Sequence, residues 1–258
     1  MSRGLGGEQV EGRQAVRELL RAGKRRVDEL WLAEGRDDAA ILAEITDLAR
    51  EARVRVQTVP RGRLEAAALS EAPQGVLAKA APVQEVPLSK LCGGRPFLVA
   101  VDGVTDPGNL GAILRSAEVA GATGVVLPRH RAVHITPTVA KAAAGAIEYL
   151  PIAVVAGMPA ALADLVERGV WVVGLDAEGT TSVDDLPVAD QPVALVLGAE
   201  GKGLGRLVRQ RCDVLAAIPQ HGTIESLSVA GAAAVACFAV ARQRSSERGR
   251  GADGSRAG

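Results

Sequence analysis

The chain has 258 residues, enough for one large domain or two ordinary ones. It is 48% hydrophobic and 23% charged with zero formal net charge, which excludes a protein that coats nucleic acid through bulk attraction. Aromatic residues make up 2%, so the core must come from Ala, Val, Leu and Ile, and ring stacking cannot be the main grip on bases. Local basic clusters remain possible contacts, at Lys24-Arg25-Arg26 and in the arginines after Arg242. Cys92, Cys212 and Cys237 stand singly with no zinc-ligand spacing, so buried thiols, a reducing cytosol and no metal are expected. No signal-peptide core opens the chain and no apolar run is long enough to span a bilayer, so the expectation is a cytoplasmic protein with no membrane partner.

Residues 1–8 are Gly-rich and expected to be loose. Residues 9–80 then read as a small α/β domain. Arg13 to Ala22 has Val16, Leu19 and Leu20 on one helical face, Val27 to Ala33 reads as a strand, and Ala39 to Arg53 repeats apolar residues at helical spacing. Val54 to Val59 alternates as a strand, Arg61 to Leu69 is helical and Gly75 to Ala80 closes the domain. Residues 81–96 hold prolines and glycines without periodicity, a linker pattern. From 97 to 244 short apolar strands at 97–101, 124–127, 150–155, 170–175, 193–197 and 214–217 alternate with helices, which predicts a mainly parallel sheet. The helix over 227–243 is apolar around much of its circumference and should be buried on more than one side. Residues 245–258 lack apolar anchors and are expected to be disordered. Trp31 and Trp171 sit in apolar strand patterns and read as core, and His130, His134 and His221 have no partner at metal spacing.

Three glycine-rich turns each follow a strand and lead toward a helix, the position where open α/β sheets bind ligands. In the first, Asp102 to Gly111, Asn109 is placed to cap a helix with Leu110, Ile113, Leu114 and Ala117 on its buried stripe and Gly121 at its end. Arg115 lies off that stripe, one turn after Gly111, where its guanidinium can lie over a bare glycine. The second, Leu197 to Leu204, is no Walker A loop because Gly203 follows Lys202. Its Glu200 either accepts from a ligand or caps the next helix. In the third, Ile218 to Leu227, the stretch Ile218 to Glu225 leads to Ser226, which can cap the last helix and leave backbone N–H groups facing a ligand.

Taken in order, Val104-Thr-Asp-Pro-Gly-Asn-Leu-Gly-Ala-Ile-Leu-Arg-Ser-Ala117, Leu195-Val-Leu-Gly-Ala-Glu-Gly-Lys-Gly-Leu204 and Ile218-Pro-Gln-His-Gly-Thr-Ile-Glu-Ser-Leu227 resemble the three motifs of the SpoU (TrmH-like) RNA ribose 2′-O-methyltransferases of the SPOUT superfamily. The N-terminal region, with Gln74-Gly75-Val76 near its end, resembles the substrate-binding domain similar to ribosomal protein L30e found in many members. The resemblance implies an α/β fold with a trefoil-knotted, mainly parallel sheet and helices on both faces, a homodimer, and S-adenosylmethionine as cofactor. It implies methylation of a ribose 2′-hydroxyl in RNA, closest to the branch acting on a guanosine of large-subunit ribosomal RNA. A tRNA-directed enzyme, an antibiotic-resistance rRNA enzyme and a non-catalytic assembly factor on the same fold are the alternatives. By the same resemblance Asn109, Arg115, Glu200 and Ser226 line the catalytic side, with Arg115 acting across the dimer. Leu197, Gly198, Gly201, Ile218, Pro219, Leu227 and Ser228 hold the cofactor. The chain departs from the family at Ser228, where Asn is usual.

Overall fold

The computed structural model describes residues 4–35, 40–129, 134–223 and 226–253, with side chains as far as 246, and the chain packs as two compact units. The first comprises Met1–Glu85, Asp106–Arg115 and Val133–Leu150; the second comprises Val86–Thr105, Ser116–Ala132 and Pro151–Gly258. The opening stretch of the first unit ends at Glu85, and two later segments join that unit.

In the first unit, β1 (Gln9–Glu11), α1 (Arg13–Ala22), β2 (Val27–Ala33), α2 (Ala40–Glu51), β3 (Arg55–Val59), α3 (Arg61–Ala67) and β4 (Val76–Ala80) follow in chain order. The sheet order is β1-β4-β2-β3, with only β2 and β3 parallel. Alternation in β2 sends Leu30 and Leu32 to a core with Val16 and Leu19 of α1 and Leu42 and Ile45 of α2. Ala33 goes to the other face with Leu64 of α3 and Leu77. The sequence reading missed β1 because three residues carry no periodicity. Residues 4–8, where loose chain is expected, are tied down: Leu5 N–H donates to Val83 O at 2.9 Å, and Ile135 N–H donates to Leu5 O at 3.0 Å.

Two buried acids organise this unit. Glu11 is fully buried and accepts from Leu69 N at 2.7 Å, Ser70 N at 3.0 Å and Gln9 Nε2 at 2.6 Å, so its lone pairs are satisfied and loop 69–70 is pinned. Arg25, which the sequence places in an RNA-facing patch, is instead 7% exposed against a Glu148 side chain that is 1% exposed. Its Nε donates to Glu148 Oε2 at 2.8 Å, and Nη1 donates to Gly7 O at 2.8 Å and Ala81 O at 2.7 Å. Of its neighbours, Lys24 lies over the Tyr149 ring and Arg26 pairs with Asp28. Of the three, only Arg25 is spent inside the unit; Lys24 and Arg26 stay exposed.

In the second unit, α4 (Leu88–Leu91) precedes β5 (Phe97–Val101), and α5 (Pro107–Val119) begins in a segment of the first unit. Then come β6 (Gly124–Pro128), α6 (Pro137–Ala142, first unit), β7 (Ile152–Val155), α7 (Met158–Glu167), β8 (Trp171–Leu175), β9 (Thr181–Ser182), β10 (Val193–Leu197), α8 (Arg206–Arg209), β11 (Val214–Ala217) and α9 (Val229–Asp253). The strands form one parallel sheet in the order β7-β6-β5-β10-β8-β11-β9. Every residue of β5 and β10 is buried, as expected of parallel strands covered on both faces. Two late strands insert between earlier ones: β10 lies between β5 and β8, and β11 lies between β8 and β9.

The last helix buries Ala233, Ala236, Cys237 and Val240 but leaves Val235 and Phe238 more than a third exposed. It continues past Ser245, where composition alone predicts lost order, to Asp253; residues 254–258 lie outside the described residues. Arg244 is no RNA-facing cation: it donates to Ala189 O at 2.7 Å, Pro96 O at 2.9 Å and Gln191 O at 2.6 Å, and lies over the Phe97 ring. Trp171, expected in the core, starts β8 and is 43% exposed. Among the described residues no helix is long and apolar enough to cross a membrane.

Candidate active site

The C-terminal ends of β8, β10 and β11 are neighbours in the sheet, and the residues that follow them wall one cavity of about 610 Å³ in the second unit. After β10 the chain closes on itself: Ala199 N–H donates to Gly203 O at 3.0 Å and Gly203 N–H donates to Ala199 O at 2.8 Å. Gly198, just before this ring, packs against its far end, and a Cβ there would lie 2.2 Å from the Gly203 carbonyl carbon. No residue but glycine fits without moving backbone. The ring carries Glu200, which is exposed and lines the cavity. The next helix is α8, whose N-cap is Gly205 without a side-chain bond, so Glu200 does not cap it.

After β11, Ile218 and Gln220 line the cavity while Pro219 does not; Ile224 and Glu225 lie outside the described residues. Ser226, Leu227 and Ser228 then form the entrance to α9 and also line it. The cap of α9 is Ser228, not Ser226. Its Oγ accepts from Gly231 N–H at 3.1 Å and its carbonyl from Ala232 N–H at 2.9 Å. The helix starts two residues later than the sequence suggests, because the serine whose hydroxyl meets the third helical N–H is Ser228.

After β8 comes a wall the sequence reading missed, Leu175-Asp176-Ala177. Asp176 Oδ1 accepts from Glu178 N–H at 2.9 Å, and Oδ2 is 3.4 Å from Arg209 Nε, with the side chain 13% exposed. The usable signal was its place, one residue after an apolar strand. Cys212 packs nearby against Gly174, and burial, with Asp213 and Asp176 adding to it, pushes its thiol up to about 11. Burial raises Cys92 and pushes Cys237 up to about 12. All three thiols stay protonated near neutrality and are poor nucleophiles.

The first glycine turn differs from its sequence reading. Its start, Gly103 at φ 80°, packs on Ala199 in the second unit, while Asn109 and Arg115 belong to the first. The cap of α5 is Asp106, whose Oδ1 accepts from Asn109 N–H at 2.7 Å. Pro107 fills the first helical position, where its missing N–H costs nothing, and this moves the cap three residues upstream of Asn109. Leu110, Ile113, Leu114 and Ala117 are buried and Gly121 ends the helix, as expected. Gly111 is not bare: a Cβ there would lie 2.4 Å from Ala142 Cβ and 2.8 Å from Val139 O, so α6 covers it. Arg115 is exposed and lines a separate cavity within the first unit.

Of the expected site residues, one cavity therefore gathers Leu197, Gly198, Glu200, Gly201, Ile218, Ser226, Leu227 and Ser228. His221 and His134 are exposed, and His130 lies outside the described residues. No group of His, Cys, Asp and Glu among the described residues could hold a metal ion.

Residues 96–238, including all three strand-end loops, match the SpoU rRNA Methylase family. The chain belongs to the SpoU rRNA methylase family. Residues 9–86 match a second family, described as RNA 2′-O ribose methyltransferase substrate binding. This SpoU member is 42% identical over 243 residues to a 23S rRNA (guanosine-2′-O-)-methyltransferase, RlmB, of Pseudomonas aeruginosa, covering 92% of this chain and 97% of that protein. It is 40% identical over 247 residues to the RlmB of Pseudomonas syringae pv. tomato, covering 93% and 98%. Among solved structures it resembles the SpoU methyltransferase AviRb from Streptomyces viridochromogenes in complex with the cofactor AdoMet, with a TM-score of 0.77, 27% identity, and coverage of 92% and 90%.

Proposed function

We propose that the chain transfers a methyl group from S-adenosylmethionine to the 2′-hydroxyl of a guanosine in large-subunit ribosomal RNA. The observation that carries this reading is the cavity where the β8, β10 and β11 ends meet, with a glycine at 198 that only bare backbone can fill. The relatives' named activity supports it, at about 40% identity over almost the whole chain. S-adenosylmethionine, when bound, supplies an activated methyl group. The cavity suits it: Leu197, Ile218 and Leu227 offer apolar surface for its base, and Asp176 and Ser228 offer acceptors for its ammonium or ribose hydroxyls. Gly198 and Gly201 let backbone approach, and Pro219 shapes the turn after β11.

In this reading Glu200 accepts the proton leaving the ribose 2′-oxygen and Ser226 orients the ribose, while Asn109 and Arg115 are supplied by the second copy of the homodimer. Arg115 stabilises the oxygen as negative charge develops and grips a neighbouring phosphate. A guanidinium remains charged at any working pH, so electrostatic stabilisation suits it better than proton abstraction. Arg115→Ala is expected to lower turnover by roughly 100-fold, the scale of losing one preorganised donor, with cofactor affinity unchanged by calorimetry. A parallel collapse of affinity would remove Arg115 from this role.

The departure at Ser228 leaves the proposal intact, because serine and asparagine cap helices about equally well. Ser228→Asn should preserve thermal stability, and Ser228→Ala should cost about 1 kcal/mol, read as a drop in melting temperature. Equal stabilities in all three proteins would show that the cap is idle.

The same reading includes a cytoplasmic homodimer with a trefoil-knotted second domain and an L30e-like first domain. Insertion of β10 and β11 between strands laid down earlier supports the knot, and the exposed Val235 and Phe238 one turn apart on α9 offer a second copy an apolar strip. The direct test incubates the protein with radiolabelled S-adenosylmethionine and unmodified ribosomal RNA, then maps ribose methylation. A 2′-O-methylguanosine in large-subunit RNA is expected; label confined to tRNA, or no transfer, would overturn the assignment.

A further inference from the structure

The first unit contains a cavity of about 630 Å³ that neither strand-end loops nor motif spacing would reveal. Leu69, Ser70, Glu71 and Gln74 form one wall, all within the region matching the substrate-binding family. Arg115 and Lys141 form another, both within the region matching the methylase family. The fold thus gathers the motif arginine and a loop of the substrate-binding module around one space.

That loop is held in an unusual shape. Its start is pinned by buried Glu11 through Leu69 N–H and Ser70 N–H. Its middle is held by the Lys141 ammonium, which donates to the carbonyls of Glu71 and Ala72. Its end is clasped by Gln74, whose Oε1 accepts from Arg13 N–H at 2.9 Å while its carbonyl accepts from Arg13 Nε at 3.1 Å. Ala72 and Gln74 occupy the left-handed region at φ 49° and 60°, a cost that the three anchors offset. What the anchors present is an exposed carboxylate, Glu71, beside an exposed leucine, Leu69. Among the described residues nothing is bonded to the Glu71 carboxylate or to the Arg115 guanidinium. One acid and one cation thus face the cavity unspent.

We infer that this cavity takes a guanosine nucleotide of the RNA substrate, with Glu71 as the residue that selects the base; the inference rests on the methyltransferase reading above. Guanine alone among the four bases presents two adjacent donors, N1–H and the 2-amino group, on its pairing edge, and a carboxylate accepts from both. Adenine presents an acceptor at N1 and is repelled. Leu69 covers the base face, in a protein too poor in aromatics to stack it between rings. Arg115 meets the attached phosphate, the group its planar fork suits. Lys141 is a positioning residue, because its ammonium is committed to loop carbonyls.

The test compares two fluorescein-labelled RNA hairpins by anisotropy, one with a guanosine loop and one with inosine, which lacks only the 2-amino group. The intact protein should bind the guanosine hairpin about tenfold more tightly, the scale of the one hydrogen bond to a carboxylate that inosine cannot make. Glu71→Ala should bring the two to parity, and Glu71→Gln should narrow the gap. Arg115→Ala should weaken both hairpins alike and flatten the salt dependence. Calorimetry with S-adenosylmethionine on the same proteins reports whether the second unit is intact. Equal binding of both hairpins by the intact protein, or a preference that survives Glu71→Ala, overturns the assignment. A protein that takes up S-adenosylmethionine yet shows either result loses this inference alone; one that takes up none loses the methyltransferase reading itself.

Discussion

Gly198→Ala is expected to weaken S-adenosylmethionine binding by about 100-fold and to lower turnover with it. The added Cβ would lie 2.2 Å from the carbonyl carbon and oxygen of Gly203 and 2.5 Å from Leu204 N. These are backbone atoms inside a ring closed by two hydrogen bonds between Ala199 and Gly203, so no side chain can swing aside. Moving the ring displaces Glu200 and Gly201 from the cavity wall. Forcing a methyl into a rigid site costs about 1–3 kcal/mol, and the upper part of that range is a factor of roughly 100 in affinity. Gly205→Ala is the matched control. Gly205 lies outside the cavity lining, has φ −62° and has nothing within 4 Å of the added Cβ, so the change costs at most about 1 kcal/mol at the cap of α8. Isothermal calorimetry on the two variants distinguishes them. Equal losses would mean that the close approach of Gly198 to Gly203 is not what shapes the cavity.

The largest stability effect is expected at Arg25 and Glu148. Both charges are buried in the first unit, and the arginine also donates to Gly7 O and Ala81 O. Removing one partner strands the other charge in a dry interior, a loss of about 3–5 kcal/mol. Arg25→Ala and Glu148→Ala should each lower the melting temperature by about 10 °C or more by scanning calorimetry. The double substitution Arg25→Met with Glu148→Leu should recover most of that loss, because an apolar pair strands no charge. Single variants that melt like the intact protein would show that the pair is solvated. A cluster of three basic residues in sequence gives no warning of this role: Arg25 and Glu148 meet only because the chain returns after more than a hundred residues.

Most strands and most helices were legible because their signals are local; β1 and β9, of three and two residues, were not. Arg55–Val59 lies where Val54 and Val56 alternate with Arg55 and Gln57, and Phe97–Val101 and Val193–Leu197 are unbroken apolar runs, so their existence follows from residue order. The helix stripe of Leu110, Ile113, Leu114 and Ala117 was equally plain. Both helix caps were misplaced, at Asn109 and Ser226. Each motif offers several capping side chains within a few residues, and only the backbone path picks Asp106 and Ser228. Of the candidate site, the glycine turns after β10 and β11 were readable because glycines mark close backbone approach. Asp176 was not, since an aspartate after a strand is ordinary until β8 is seen between β10 and β11.

By itself, then, the sequence determined the parallel α/β architecture, two of the three strand-end loops of the cavity and the family to which they belong. These are encoded in short-range periodicity and in ordered motifs. Only the tertiary structure decided that β10 inserts between β5 and β8, that Arg25 is buried, that α6 covers Gly111, and that Arg115 shares a cavity with the loop carrying Glu71. The physical reason is common to all four. Each depends on which distant segments the apolar surfaces bring together, and burial and close packing act through space, without regard to separation along the chain.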